Sequence, residues 1–180
     1  WTTVTANVTL PAGRQVLTVN QDNVGRAPTR LPFATSGGGT GPVATNLAAG
    51  KATGESSHTQ GYGSGNVTDG NQGTYWESAN NAFPQWVQVD LGSAQSASKV
   101  VLQLPAGWGA RTQTLALQGS TDGSAFSTVK AAAAYDFDPA ADNTVTVTFP
   151  ATTQRYVRVS ISANSGWPAG QLSEVQVWKA

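Results

Sequence analysis

The stretch Arg155-Tyr156-Val157-Arg158-Val159-Ser160-Ile161 sets Val157, Val159 and Ile161 on one side of an extended chain and Tyr156, Arg158 and Ser160 on the other. Successive side chains of an extended backbone point to opposite faces, so this alternation with β-branched residues predicts a strand with one buried face. Trp86-Val87-Gln88-Val89-Asp90-Leu91 repeats the pattern, with Val87, Val89 and Leu91 inward. Further strand-like runs cover Lys99–Leu104, Thr112–Gly119, Thr144–Phe149 and Leu172–Trp178, separated by clusters of Gly, Asp, Asn and Pro. Ser120-Thr121-Asp122-Gly123 supplies turn chemistry after one of them. No amphipathic helix competes; the best candidate, Lys130–Ala134, is a five-residue alanine-rich stretch. Strands spaced in this way without helical crossovers predict an all-β, antiparallel sandwich or barrel.

These runs all lie in residues 46–180, which also hold five of the six Trp. Ahead of them, 34–45 reads as a Gly/Thr/Pro linker, with a Gly triplet at 37–39 and Gly41-Pro42. Residues 1–33 carry a hairpin pattern: Val4, Ala6, Val8 and Leu10 alternate with polar residues, Pro11-Ala12-Gly13 turns, and Val16, Leu17 and Val19 follow. A lone hairpin has no second layer on which to bury its apolar face. The expectation is therefore that 1–33 are the last strands of a truncated β-sandwich domain. A chain beginning Trp1-Thr2-Thr3 with no Met is likewise expected to be a segment of something longer.

Composition narrows the function classes. Ten Lys and Arg balance ten Asp and Glu, so the chain lacks the basic surplus a nucleic-acid binder needs to neutralise phosphates. Zero Cys removes thiol catalysis, zinc–thiolate sites and disulfides together. A Ser–His–Asp site would have to use His58, the only histidine, and no Gly-x-Ser-x-Gly elbow precedes a helix. Carboxylate pairs for glycoside hydrolysis could be drawn from Glu55, Glu77, Asp136, Asp138 and Glu174, but any ten acids yield such pairs. Nothing here marks an enzyme.

The loop from Asn66 to Trp76 offers the Asp69 carboxylate, the Asn71 amide, the Thr74 hydroxyl and several carbonyls, the oxygen donors a hard cation wants. It is not a helix–loop–helix calcium loop: counting Asp69 as one, the required Gly at six is Thr74 and the Glu at twelve is Asn80. The plain alternative is an Asx turn in which Asp69 caps backbone N–H groups.

Asn46-Leu47-Ala48-Ala49-Gly50-Lys51-Ala52, Ser56-Ser57, the loop Val67-Thr68-Asp69-Gly70 through Thr74-Tyr75-Trp76, and Trp86–Gly92 resemble the opening half of a discoidin, or coagulation-factor (F5/8) type C, domain. Gly119–Gly123, Arg155–Val159 and Leu172–Val177 are similar to its closing half. In bacteria this family includes the family-32 carbohydrate-binding modules attached to secreted glycoside hydrolases. The resemblance implies an eight-stranded antiparallel jelly-roll β-sandwich, galactose-binding-domain-like. It also implies a structural Ca²⁺ held by Asn66 (backbone), Asp69, Asn71, Thr74, Ser173 (backbone) and Glu174, tying the loop to the last strand. Residues 1–33 resemble the C-terminal end of family-6 carbohydrate-binding modules, and no binding residues follow from that likeness.

Candidate ligand contacts come from the loop aromatics. Trp76, Trp86 and Trp178 sit in or beside strand runs and read as core or sheet-face residues. Trp108 and Trp167 sit in Gly/Pro loops, Pro105–Arg111 and Asn164–Gly170, where a bare indole is costly unless it packs or binds. A pyranose presents C–H faces to aromatic rings and hydroxyls to planar hydrogen-bonding groups. His58, Trp108, Arg111 and Trp167 fall in loops where sugar-binding members of the resembled family carry a His, an Arg or Asn, and an aromatic. Glu77, Asn80 and Asn81 lie in the neighbouring loop. For each a structural alternative stands: a Trp folded onto the sandwich end, an Arg paired with a surface acid, an ordinary loop His.

The expectation is thus a noncatalytic module that tethers a covalently linked, secreted bacterial glycoside hydrolase to polysaccharide, with α-1,3- or β-1,3-glucan favoured. The alternative is a cell-surface adhesion or lipid- or protein-binding discoidin domain. Net neutrality gives little pull toward anionic lipid, which argues against a membrane partner, and Arg111 is the only base near the two loop indoles in sequence.

Overall fold

The computed structural model of the protein describes residues Thr45–Ala180. The hairpin expected over 1–33, and all of the expected linker but Thr45, lie outside the described residues. Among the described residues there is no α-helix, only two short 3₁₀ turns, Ser64–Val67 and Pro139–Ala141.

Eight strands follow in order: β1 (Thr53–Glu55), β2 (Trp76–Glu77), β3 (Gln85–Gln103), β4 (Arg111–Ser120), β5 (Ser127–Phe137), β6 (Thr144–Asn164), β7 (Gln171–Leu172) and β8 (Glu174–Lys179). All pairings are antiparallel. The main sheet runs β1-β3-β6-β4-β5 with β8 also on β3, and β2 pairs with β7 separately.

Two pairs of runs that the sequence presents as separate strands are one element each: Trp86–Leu91 and Lys99–Gln103 belong to β3, with Leu104 just past its end, and Thr144–Phe149 and Arg155–Ile161 both belong to β6. The β3–β6 ladder breaks between Asp90 and Gln95, at a bend where Gly92 takes φ +85° and donates its N–H to Asp90 Oδ1. The first half of β3 pairs with β1 and the end of β6; the second half pairs with the start of β6 and with β8. One long pair of strands thereby serves both layers, as bulged strands do where they pass from sheet to sheet. The two layers share one core: Val87, Val89, Val157, Val159 and Ile161 from one half are buried with Val100, Leu102, Val145 and Val147 from the other. The inward and outward faces expected for 86–91 and 155–161 are the ones observed.

The alanine-rich Lys130–Ala134 is part of edge strand β5. Its four alanines are exposed, and hydrogen bonding to β4 rather than side-chain packing holds them there. The turn leading into β5 is built on Asp122, whose Oδ1 accepts the N–H groups of Ser124 and Ala125 while Gly123 takes φ +77°.

Candidate functional site

At one end of the sandwich the loops Trp76–Asn81, Pro105–Arg111 and Asn164–Gln171 surround a shallow depression of about 400 Å³, lined by Tyr75, Glu77, Trp108, Arg111, Trp167 and Gln171 with glycines 107, 109 and 166. Trp167 is 47% exposed, the one large apolar side chain so bare among the described residues. Its loop is nonetheless fixed. Asn164 Oδ1 accepts the Gly166 N–H, Asn164 Nδ2 donates to Ala169 O, and Asn81 N–H and Ser78 N–H donate to Pro168 O and Gly170 O. The indole Nε1–H donates to Glu77 Oε1 at 3.2 Å.

Glu77 is the polar centre of the face. It is 7% exposed, and its other oxygen accepts from Gln171 Nε2 at 2.6 Å. Gln171 Oε1 in turn accepts Arg111 Nη1 at 2.8 Å, so acid and guanidinium are coupled through a buried amide. The Arg111 guanidinium lies 4.5 Å over the Trp108 ring, and burial lowers its pKa while the Glu77 charge partly restores it. The Trp108 loop is held by buried Asn143, whose Nδ2 donates to both Pro105 O and Trp108 O at 2.9 Å. Tyr75 meets the Trp108 ring edge-on at 4.6 Å and stacks on Tyr62 at 4.5 Å, which extends the aromatic row beyond the depression. Three aromatic side chains, an acid and a base thus line one concave surface, with the aromatic faces and hydrogen-bonding groups a polyhydroxylated ring would meet.

Of the residues singled out from sequence, Glu77, Trp108, Arg111 and Trp167 come together here. His58 does not: its Nδ1 lies 2.5 Å from Glu55 Oε1, three residues back. Asn80 and Asn81 are exposed on the adjoining loop and do not line the depression.

The Asp69 loop lies elsewhere, against the start of β8. Asp69 Oδ1 accepts the Asn71 N–H, the Asx turn given above as the plain alternative, while Oδ2 accepts the Thr74 hydroxyl at 2.7 Å. Asn71 Oδ1 accepts the Gly73 N–H, and Asn66 Nδ2 donates to Tyr75 O. Glu174, 4% exposed, faces this loop. Burial, and after it the adjacent Asp69 carboxylate, push Glu174 up to about 7, against the pull of the Gly70 and Asn71 N–H groups. Glu174 Oε1 is buried with no hydrogen-bond partner. Ser173 is fully buried beside it, its N–H spent on Gln103 O. Among the described residues no three His, Cys, Asp or Glu cluster, so a cation here would draw on these two carboxylates plus hydroxyl, amide and carbonyl oxygens.

The profile of the NedA-like, galactose-binding domain of F5/8 type C matches residues 66–159. The chain belongs to the F5/8 type C galactose-binding family. Among solved structures, this F5/8 type C chain is similar to chitosan-binding module 1 of a chitosanase/glucanase from Paenibacillus sp. IK-5, with 32% identity over 74% of this chain and 98% of that one, at TM-score 0.62. Chitosan-binding module 2 of the same enzyme, solved with chitotriose, shares 33% identity over 74% and 99% at TM-score 0.59. The family-32 module of AlyQ, solved with 4,5-unsaturated mannuronic acid, shares 27% over 72% and 95% at TM-score 0.60. Comparison with curated proteins finds no match.

In this F5/8 type C domain, sequence reading passes over Gln171, Asn143, Tyr75 and Tyr62. Tyr75 and Tyr62 carry a signal: one adjoins Trp76 and the other sits in a Gly-rich loop, the context that singles out Trp108 and Trp167. Gln171 and Asn143 carry none, because their partners are 94 and 35 residues away.

Proposed function

We propose that residues 46–180 form a noncatalytic carbohydrate-binding module, carried on a longer secreted bacterial chain, that holds an attached glycoside hydrolase on its polysaccharide. The observation that carries this reading is the half-bare Trp167 indole, tethered through its N–H to buried Glu77 and set across a concave surface from the Arg111–Trp108 pair. A rigid platform of this kind spends little ordering entropy on binding. The three similar structures are all binding modules, which supports the same reading.

The ligand is a neutral glucan, α-1,3- or β-1,3-linked, since the charges of Arg111 and Glu77 offset each other across the face. A second reading is a glucosamine polymer: the Glu77 carboxylate suits an ammonium group, and the two Paenibacillus modules are described as chitosan-binding. Weak single-site affinity suffices, because a tethered catalytic partner stays at high effective concentration on its substrate. A lipid surface is disfavoured, with Arg111 the one cation of the lining and already engaged with Gln171.

A structural Ca²⁺ fits the Asp69–Glu174 pair. The orphaned Glu174 oxygen and two adjoining carboxylates are what a hard cation would satisfy, with Thr74, Asn71 and the carbonyls of Asn66 and Ser173 completing its shell. Its role is to tie the loop to β8. Affinity electrophoresis in gels holding α-1,3-glucan, β-1,3-glucan or chitosan, with Trp108→Ala and Trp167→Ala beside wild type, tests the module. Retardation of wild type by one polymer and release of both variants is the expected result; equal retardation of all three proteins removes the site.

A further inference from the structure

A second cavity, of about 280 Å³, lies where β4 ends and the chain turns into β5, against the bend of β6. Strand β4 starts at Arg111, in the Trp167 depression, and ends at Ser120, in this cavity, so about 30 Å of strand separates the two. Its lining contains no Lys, Arg, Asp or Glu. Thr121 and Thr128 stand exposed at the rim, Val129 and Pro150 give apolar wall, and Gln154 and Thr152 form the inner side.

Gln154 is 2% exposed, and its Nε2 has no hydrogen-bond partner; neither has the buried Oγ1 of Thr152. A buried amide donor and hydroxyl left unmet are expensive unless something accepts from them. Gln154 can sit there only because position 119 is glycine: a Cβ on Gly119 would lie 1.8 Å from Gln154 Oε1 and 3.0 Å from Val129.

We propose that this cavity is a second, independent site, taking one neutral pyranose through hydrogen bonds from Gln154 Nε2 and to Thr152 Oγ1. Uncharged walls, hydroxyls at the rim and two unmet polar atoms in the depth match a ligand that brings its own hydroxyls and no charge. A module with sites at both ends would bridge two glycan chains.

The test is an amide-shift NMR titration of the whole chain with methyl glucoside and, separately, N-acetylglucosamine and glycerol, in wild type and in Trp167→Ala. Saturable shifts at Thr121, Thr128 and the Gln154 side-chain amide with a pyranose, unchanged in Trp167→Ala, are expected. Gln154→Leu should weaken them roughly fivefold, the loss of about one hydrogen bond. Should that variant fail to fold, Thr128→Tyr at the exposed rim blocks the mouth without touching the core and should abolish them. Shifts confined to the Trp167 face, persistence at full strength in Thr128→Tyr, or equal response to glycerol would each overturn the assignment.

Discussion

Replacing Trp167 by Ala removes the platform and leaves the fold alone. A bare indole side chain exposes on the order of 250 Å², and Trp167 keeps 47% of its surface. That is about 120 Å², of which a stacked pyranose covers one face, about 60 Å². At about 25 cal/mol per Å² the lost contact is worth ~1.5 kcal/mol, or roughly tenfold in Kd. Millimolar binding corresponds to about 4 kcal/mol in all, so this one ring carries more than a third of it. Trp167→Phe separates stacking from tethering: it keeps a ring and loses the Nε1–H bond to Glu77 Oε1. It should fall between wild type and Trp167→Ala, weakened about threefold, since a ring remains to stack but is no longer held by the bond to the buried Glu77 carboxylate. Isothermal calorimetry on a hexasaccharide of whichever polymer retards the wild type reads both, and thermal melts should fall by only about 5 °C, the cost of taking the indole donor from buried Glu77. A Trp167→Ala protein that stays folded and binds within a factor of two of wild type would refute the platform.

Chelation should lower the melting temperature on the order of 10 °C if a cation saturates the Asp69–Glu174 pair about a hundredfold above its Kd, and Glu174→Gln should abolish that response; a chelator-insensitive melt in wild type rules the cation out. Arg155 grips Asp90 through two bonds of 2.7 Å and, with the Gly92 N–H, holds its carboxyl down to about 2. A depressed acid stabilises the fold above its unfolded value near 4, and the contribution is lost as pH falls toward 2; with Arg155 well exposed it is worth ~1 kcal/mol. Asp90→Asn should therefore melt about 3–5 °C lower at pH 7 and level with wild type near pH 2, and a gap that persists in acid would contradict the linkage. Tyr62 lies one ring beyond Tyr75, so Tyr62→Ala should weaken a hexasaccharide several-fold and leave a disaccharide unchanged in calorimetry.

What the sequence makes legible follows from the range of the forces involved. Alternation in 86–91 and 155–161 is a local consequence of one face meeting a core, and the observed inward residues are those expected. The joining of these runs to their neighbours is not local. Leu91-Gly92-Ser93-Ala94 has the composition of a terminator, yet Asp90 and Arg155 clasp across the bend and the ladder resumes at Gln95. Ala131–Ala134 have little intrinsic reason to be a strand and become one because β4 offers unpaired backbone groups at the sheet edge.

The same division runs through the candidate site. Trp108 and Trp167 stand out because an indole between Gly and Pro has no strand to pack in, and that property survives without knowledge of the fold. Glu77 looks like one loop acid among several until the fold brings Gln171 and Trp167, 94 and 90 residues on, to its two oxygens. His58 shows the converse: its loop runs beside the face, with Thr59 N–H on Glu77 O, but a nearer acid, Glu55, takes the ring. Proximity of a loop to a site is therefore a weaker sign of function than an unspent polar or aromatic surface. By that measure the bare face of Trp167 and the unmet amide of Gln154 at the far end are the places where this domain is built to meet something outside itself.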